Sequence, residues 1–365
     1  METNDVLVIG GGQAGLATGW HLRREGLAFR ILEAEALPGG AWPRYYDSLQ
    51  LFSPASYSSL PGKPFPGDPD RYPLRDEVTA YLRSYAAELA LPVIPNTKVV
   101  EVVHDGSFNV RSQDGRVFTS HALVVASGAF NTPHIPSLPG QEAFEGQRLH
   151  SAAYGNPGGF QGQRVIVVGG ANSAVQIAYE LAKTARVTLA TRRAIRYVPQ
   201  RLFGLDFHFW MKATGLDFLN ILDDQSTPVL DDGRYRAAIR SGSPDARPMF
   251  SSFWSGGVVW PDGTREQVDT VIFATGFRPN VPYLSGLDAL DAQGRPLQRK
   301  GISAKVPGLF FVGMPRQRNF ASATLRGVGP DAAYVMPHLV RHLRAVRPKA
   351  QGWRSEIYAD GLQSS

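Results

Sequence analysis

The sequence predicts an α/β fold built from two copies of one βαβ-plus-meander plan, the second inserted into the first. Three observations carry that expectation. Twice a β-branched strand runs into a glycine turn that opens a helix, at Gly10-Gly11-Gly12-Gln13-Ala14-Gly15 and at Gly169-Gly170-Ala171-Asn172-Ser173-Ala174. Each copy later carries an Asp-Gly turn and, 13 residues after its glycine, a second glycine: Gly115 to Gly128 and Gly263 to Gly276. The chain after the second copy holds one strand and one helix, which is what the first copy needs to finish its sheet.

The elements follow in order. Val6-Leu7-Val8-Ile9 is a buried strand, because four apolar residues run without alternation. A helix follows at 13–25 and a second strand at 28–33. Asp114-Gly115 between short strands is a hairpin or meander turn, and 122–126 is the strand that ends at Ser127-Gly128. The Pro-rich stretch 132–140 leads out of the first copy. The second copy has strands at 165–168 and 186–190, a helix at 172–183, the turn Asp262-Gly263 and a strand at 270–274. Pro279 to Pro282 leads back. A strand at 308–313 and a helix from Asp331 to about Ala345 close the chain. Gly327-Val328-Gly329-Pro330 precedes that helix, with Pro330 in its first turn. The fold class is thus two Rossmann-like dinucleotide-binding domains: residues 1–155 with 278–365, and residues 156–277.

Two domains of ordinary size fit 365 residues. An apolar share of 43% supports buried cores and excludes a disordered chain. With no cysteine, disulfide scaffolds, Cys-ligated metals, thiol nucleophiles and dithiol redox couples are excluded. The net charge of +6 comes without the basic blocks and interleaved aromatics of a nucleic-acid binder. It suits the attraction of phosphorylated ligands. The acidic start and short first apolar run suggest no signal peptide. No run reaches the ~18 apolar residues of a membrane span. A cytoplasmic protein is the expectation.

Gly10, Gly12 and Gly15 form GxGxxG between a strand and a helix. The first makes the turn tight, the second lets a pyrophosphate approach the backbone, and the third packs helix on strand. The helix start offers N–H donors to the phosphate. Glu33 stands 23 residues after Gly10, where a carboxylate accepts from ribose hydroxyls. In the second copy Ala171 and Ala174 replace the later glycines, which sets the phosphate slightly further off. Arg192 stands 23 residues after Gly169 and is followed by Arg193. A carboxylate repels a 2′-phosphate, and a guanidinium pair binds one with forked, charge-assisted bonds. The first site therefore suits FAD or NAD. The second suits NADPH, with NADH weaker by about 10- to 100-fold. Two such sites in one chain imply a flavoenzyme, with FAD in the first domain reduced by NADPH on the second. N–H groups around Val328 could hold the flavin N1–C2=O edge, where negative charge grows on reduction. No metal site is indicated.

Phe144-Glu145-Gly146-Gln147-Arg148-Leu149-His150-Ser151-Ala152-Ala153-Tyr154 reads FxGxxxHSxxY and lies between the glycine turns. It resembles the fingerprint of the flavin-containing monooxygenases, the class B flavoprotein monooxygenases. Tyr154-Gly155 stands where the Baeyer–Villiger branch has Trp-Pro. Gly39-Gly40-x-Trp42, Ala274-Thr275-Gly276-Phe277 and Gly308-Leu309-Phe310-Phe311-Val312-Gly313 agree with that family. The chain length and Leu51-Phe52-Ser53-Pro54 resemble its shorter bacterial members. Met314 follows Gly313 where related disulfide reductases place an Asp.

The resemblance implies a reaction course. NADPH reduces FAD, O₂ adds at flavin C4a, and retained NADP⁺ shields the hydroperoxide. A small soft nucleophile (a sulfide or amine) or a ketone then takes one oxygen atom. His150 would orient the linker. Together these readings make Gly10, Gly12, Gln13, Ala14, Gly15, Glu33, Gly40, Trp42, Val99, Gly128, Val328, Gly169, Asn172, Ser173, Arg192, Arg193 and Gly276 the candidate cofactor contacts. Ser53 is the nearest polar residue where many family members carry an Asn near the flavin, and it donates only one hydrogen bond. A short-lived hydroperoxide would make the protein an NADPH-dependent flavin reductase or oxidase passing electrons to O₂, a quinone or a metal ion. A third reading is a redox-sensing protein with FAD and NADPH as ligands. The aromatic stretches 45–57 and 203–218 could line a substrate channel, a lid or a homodimer face, with core packing the commoner role.

Overall fold

The computed structural model describes residues 3–216 and 228–346. Thr3–Ile9 is central to the first sheet, parallel to Phe29–Leu32 on one side and to Val117–Val125 on the other. Successive residues of a strand face opposite sides, so a strand buried on both must be apolar throughout. Val6 and Val8 enter one core with Leu16, Leu22, Val335 and Leu339, under helices Gln13–Arg24 and Leu325–Val346. Leu7 and Ile9 enter the opposite core with Phe108, Leu284 and Phe311.

The second sheet has five parallel strands, in the order Asp245–Pro248, Arg186–Thr191, Arg164–Val168, Thr270–Phe273, Gln147–His150. Its central strand repeats the division of the first. Val165 and Val167 pack with Val175 and Ile177 of helix Asn172–Leu181, whereas Ile166 and Val168 pack with Phe144, Phe250 and Phe253. Each such buried aliphatic side chain stabilises by about 1.5–3 kcal/mol.

Leu309–Phe311 follows the second copy yet pairs in parallel with Val117–Val125, which precedes it. The second unit is therefore inserted between two neighbouring strands of the first sheet. Thr132–Pro133 and Phe277–Arg278 pair antiparallel where the chain leaves and returns. The two meanders match in backbone detail. Gly115 and Gly263 have φ of 87° and 84°, and Gly128 and Gly276 have 78° and 80°. Left-handed backbone at equivalent places explains why both copies carry glycine there.

Two expectations change. Gln147–His150, placed with the first domain by a boundary at residue 155, is the edge strand of the second sheet. Phe144 lies in the core of the second unit. The second unit therefore begins before residue 147, not at 156. This edge strand is Gln-Arg-Leu-His, half exposed, so it shows no apolar run in the sequence.

The last helix is Leu325–Val346, so Pro330 lies inside it rather than in its first turn. Gly327 and Gly329 read as breakers but serve close packing. A Cβ on Gly327 would stand 1.9 Å from the Ala321 carbonyl oxygen, and one on Gly329 2.7 Å from the Pro61 ring.

Asp331, on the same helix, is completely buried. One carboxyl oxygen is 3.4 Å from Arg318 Nη1, and the other has no hydrogen-bond partner. Burial pushes this carboxyl above the ordinary range, against the pull of Ser322 and Arg318. The native state therefore keeps the proton to higher pH than the unfolded chain does, and stability falls as pH rises from about 4 through the raised value. Asp331→Asn should remove that fall. Unfolding midpoints measured across pH should show the variant gaining on the wild type as pH rises. Parallel profiles would reject this account.

Candidate active site

The first glycine turn is a cradle with no room for side chains. A Cβ on Gly15 would stand 1.8 Å from the Gly10 carbonyl oxygen. A Cβ on Gly40 would stand 2.9 Å from the Gly12 Cα, so Gly12 and Gly40 bring two backbones into contact. Glu33 ends the neighbouring strand and is buried. Its Oε2 accepts from the Gly11 amide at 2.7 Å and its Oε1 from the Glu35 amide at 2.9 Å. Burial pushes the carboxyl up, while the Glu35 and Gly11 amides draw it back. A carboxylate oxygen has more than one acceptor position, so these amide bonds do not exhaust Glu33.

Gln13 and Trp42 are joined to each other. Trp42 Nε1 donates to Gln13 Oε1 at 2.9 Å, and Gln13 Nε2 donates to the Ala323 carbonyl at 2.6 Å. Ala14 packs directly under Gly313, where an added Cβ would come within 2.6 Å of it. Val99 opens a strand two residues after Thr97, whose amide donates to the Glu33 carbonyl at 2.7 Å. Gly10, Gly12, Gln13, Ala14, Gly15, Glu33, Gly40, Trp42 and Val99 thus belong to one connected region, and Ser127, just before Gly128, lies against Gly10.

Val328 does not fit the role expected of it, and Ser53 already has a partner. The amides of Gly327 and Val328 both donate to the Thr324 carbonyl, at 3.0 and 3.1 Å, and Val328 is fully buried. The helix starts earlier than the glycines suggested, at Leu325. Ser58 Oγ donates to the Pro54 carbonyl at 2.9 Å and lies 3.0 Å from Ser53 Oγ. Either hydroxyl can donate in this pair, and each has one hydrogen. Ser58 Oγ therefore competes with a flavin for the single Ser53 hydrogen.

In the second copy Gly169 is as confined as Gly10, since its Cβ would stand 2.5 Å from the Ala274 carbonyl oxygen. Asn172 turns away from the turn. Its Oδ1 accepts from the Leu230 amide at 3.2 Å and its Nδ2 reaches the Pro228 carbonyl at 3.5 Å. Ser173 and Gln176 bond the Tyr46 hydroxyl, and Gln176 Nε2 donates to the Gln50 carbonyl. The start of this helix therefore faces residues 46–50 of the first domain. Arg192 and Arg193 are exposed just beyond Arg186–Thr191.

The FxGxxxHSxxY residues are fastenings. Phe144 packs on Phe253 at 5.2 Å between ring centroids. A Cβ on Gly146 would meet the Phe144 ring at 2.3 Å and the Asp269 carbonyl oxygen at 2.7 Å. His150 Nδ1 accepts from the Ala152 amide at 3.1 Å, so Nε2 carries the proton and donates to the Gly276 carbonyl at 2.9 Å. Burial lowers its affinity for a second proton. Tyr154 donates to Glu180 at 2.8 Å.

The aromatic insertion meets the first domain at a group that the sequence did not disclose. Tyr72 donates to Asp206 Oδ2 at 2.6 Å, and buried His208 holds Asp206 Oδ1 through Nδ1 at 2.8 Å. The His208 ring stacks on Phe52, with centroids 6.1 Å apart. Beside it lies a cavity of about 420 Å³ bounded by Tyr72, Tyr197, Pro199, Arg201 and Arg236. Phe203 and Phe209 are exposed, so core packing does not account for them, and Phe218 lies outside the described residues. No helix of the described residues is long and apolar enough to cross a membrane.

The residues fit the two cofactors. The first cradle gives a pyrophosphate its close backbone approach, with a carboxylate at the ribose end, and the second ends in guanidiniums. Residues 7–213 match the model of a family described as pyridine nucleotide-disulphide oxidoreductase. The chain is 35% identical over 346 residues to an oxidoreductase called CzcO-like from Geobacillus kaustophilus, covering 93% of this chain and 99% of that one. It is 30% identical to an indole-3-pyruvate monooxygenase from Oryza sativa subsp. japonica, covering 94% of this chain and 89% of that one. A flavin-containing monooxygenase from Stenotrophomonas maltophilia superposes with a TM-score of 0.84 at 36% identity, over 94% of this chain and 99% of that one. The chain belongs to the pyridine nucleotide-disulphide oxidoreductase family, as an FAD- and NADPH-using oxidoreductase of its flavin monooxygenase branch.

Proposed function

We propose that the protein transfers one atom of O₂ to a small soft nucleophile (a sulfide or amine) or to a ketone. NADPH supplies two electrons, and the second oxygen atom leaves as water. One observation carries this reading: two glycine cradles of one plan end in opposite charge, Glu33 and Arg192, in a chain without a cysteine. The flavin supplies the oxygen-activating chemistry when bound, and no thiol can divert its electrons. Glu33 binds the FAD ribose, and Arg192 with Arg193 binds the 2′-phosphate of NADPH. The cavity beside Tyr72 is the candidate substrate space. The rice relative's name adds a 2-oxo acid to the substrates worth trying.

NADPH consumption by the purified holoenzyme, measured with oxygenated product and peroxide over a panel of sulfides, amines, ketones and 2-oxo acids, tests this. Product formed in proportion to NADPH supports it. Stoichiometric peroxide without product on every substrate would sink it. The Ser53 hydroxyl favours the second reading, an NADPH oxidase, because it has one hydrogen and Ser58 Oγ competes for it.

A further inference from the structure

Arg278 and His134 sit where the chain passes between the two sheets, Arg278 ending Phe277–Arg278 and His134 following Thr132–Pro133. The backbone of His134 is tied down on both sides. Its amide donates to the Gly276 carbonyl at 2.9 Å, and the Thr275 hydroxyl donates to its carbonyl. Arg278 Nη2 lies 3.4 Å from His134 Nε2. A guanidinium has no acceptor, so Arg278 donates, and His134 is neutral with its proton on Nδ1. His134 thereby aims Arg278.

Arg192 follows Arg186–Thr191 and Arg278 comes after Thr270–Phe273, the strands on either side of Arg164–Val168, so both lie beyond the same end of one parallel sheet. Burial lowers the proton affinity of His134 most, and the charges of Arg278 and Arg192 lower it further. No carboxylate is among the groups that act on it. Neither Arg192 nor Arg278 forms an ion pair among the described residues. Two exposed guanidiniums at one end of a sheet repel, and an anion between them reverses the sign.

We propose that Arg278, aimed by His134, forms the second wall of the 2′-phosphate site of NADPH, opposite Arg192. This rests on the reading of Arg192 given above. Arg278 contacts the phosphate and His134 is a positioning residue. The phosphate is then gripped from the body of the second domain and from its connection to the first, by forked donors on two sides.

The test titrates FAD holoenzyme with NADPH, NADH and 2′,5′-ADP for the wild type, Arg278→Gln, Arg278→Lys, His134→Ala and Arg192→Ala. Arg278→Gln is expected to weaken NADPH and 2′,5′-ADP about 10-fold or more, with NADH changed by less than about 2-fold. Arg278→Lys keeps the charge without the fork and should fall between wild type and Gln. It carries the comparison should the Gln variant not fold. His134→Ala should weaken NADPH selectively and by less. Equal weakening of NADPH and NADH by the Arg278 variants, or none, overturns the proposal. If Arg192→Ala discriminates between the nucleotides and the Arg278 variants do not, this inference fails alone. If neither discriminates, the reading of Arg192 fails with it.

Discussion

Gly15→Ala is expected to abolish FAD retention and to destabilise the protein by about 3 kcal/mol or more. The added Cβ would lie 1.8 Å from the Gly10 carbonyl oxygen and 3.5 Å from Val8 Cγ1. Gly10 cannot yield. Its amide is bonded to the Leu32 carbonyl at 2.8 Å, and on its other side the Ala126 carbonyl leaves no space. The helix must move off the strand, which opens the core around Leu16 and Val8 and removes its N–H groups from the phosphate position. The second copy provides the control, because alanine already stands there as Ala174, 3.1 Å from where a Cβ on Gly169 would be. Ala174→Gly should cost only about 1 kcal/mol, from helix propensity. Urea unfolding with the visible flavin absorbance of the purified proteins checks both. A Gly15→Ala protein with wild-type flavin content and midpoint would contradict the close approach.

Arg192→Ala is expected to weaken NADPH by about 10- to 100-fold while NADH changes by less than about 2-fold. The guanidinium is exposed, so added salt should shrink the wild-type preference for NADPH. Arg192→Glu places a carboxylate where the first copy has Glu33, and should turn the preference toward NADH. Dissociation constants from spectral titration of the holoenzyme decide this. A uniform loss for both nucleotides would assign Arg192 a role other than reading the 2′-phosphate.

Much of the fold was open to inspection in the chain because the plan occurs twice. Glycine spacing, the four-residue apolar strands and the Asp-Gly turns are short-range signals, each dictated by backbone geometry over a few residues. The last helix was misjudged for the same reason. Gly327, Gly329 and Pro330 look like a helix boundary when only local propensity is weighed. They are tolerated because Ala321 and Pro61 press against that face and packing outweighs propensity. The edge strand Gln147–His150 escaped notice because an exposed edge needs no apolar run.

The candidate site divides along the same line. The cradles and the charge at each second strand were written in local spacing, so Gly10, Glu33, Gly169 and Arg192 could be placed with no knowledge of the rest of the fold. Which polar groups remain available could not. Ser53 is engaged by Ser58, Asn172 by Pro228 and Leu230, and the Val328 amide by Thr324. His134 and Arg278 come together only because the outward and returning connections pair. A donor or acceptor is free or engaged according to what the folded chain brings within about 3 Å of it, whether the partner is near in sequence, as Ser58 is to Ser53, or far, as Arg278 is from His134. Residue spacing does not encode that distance, and only the tertiary structure sets it.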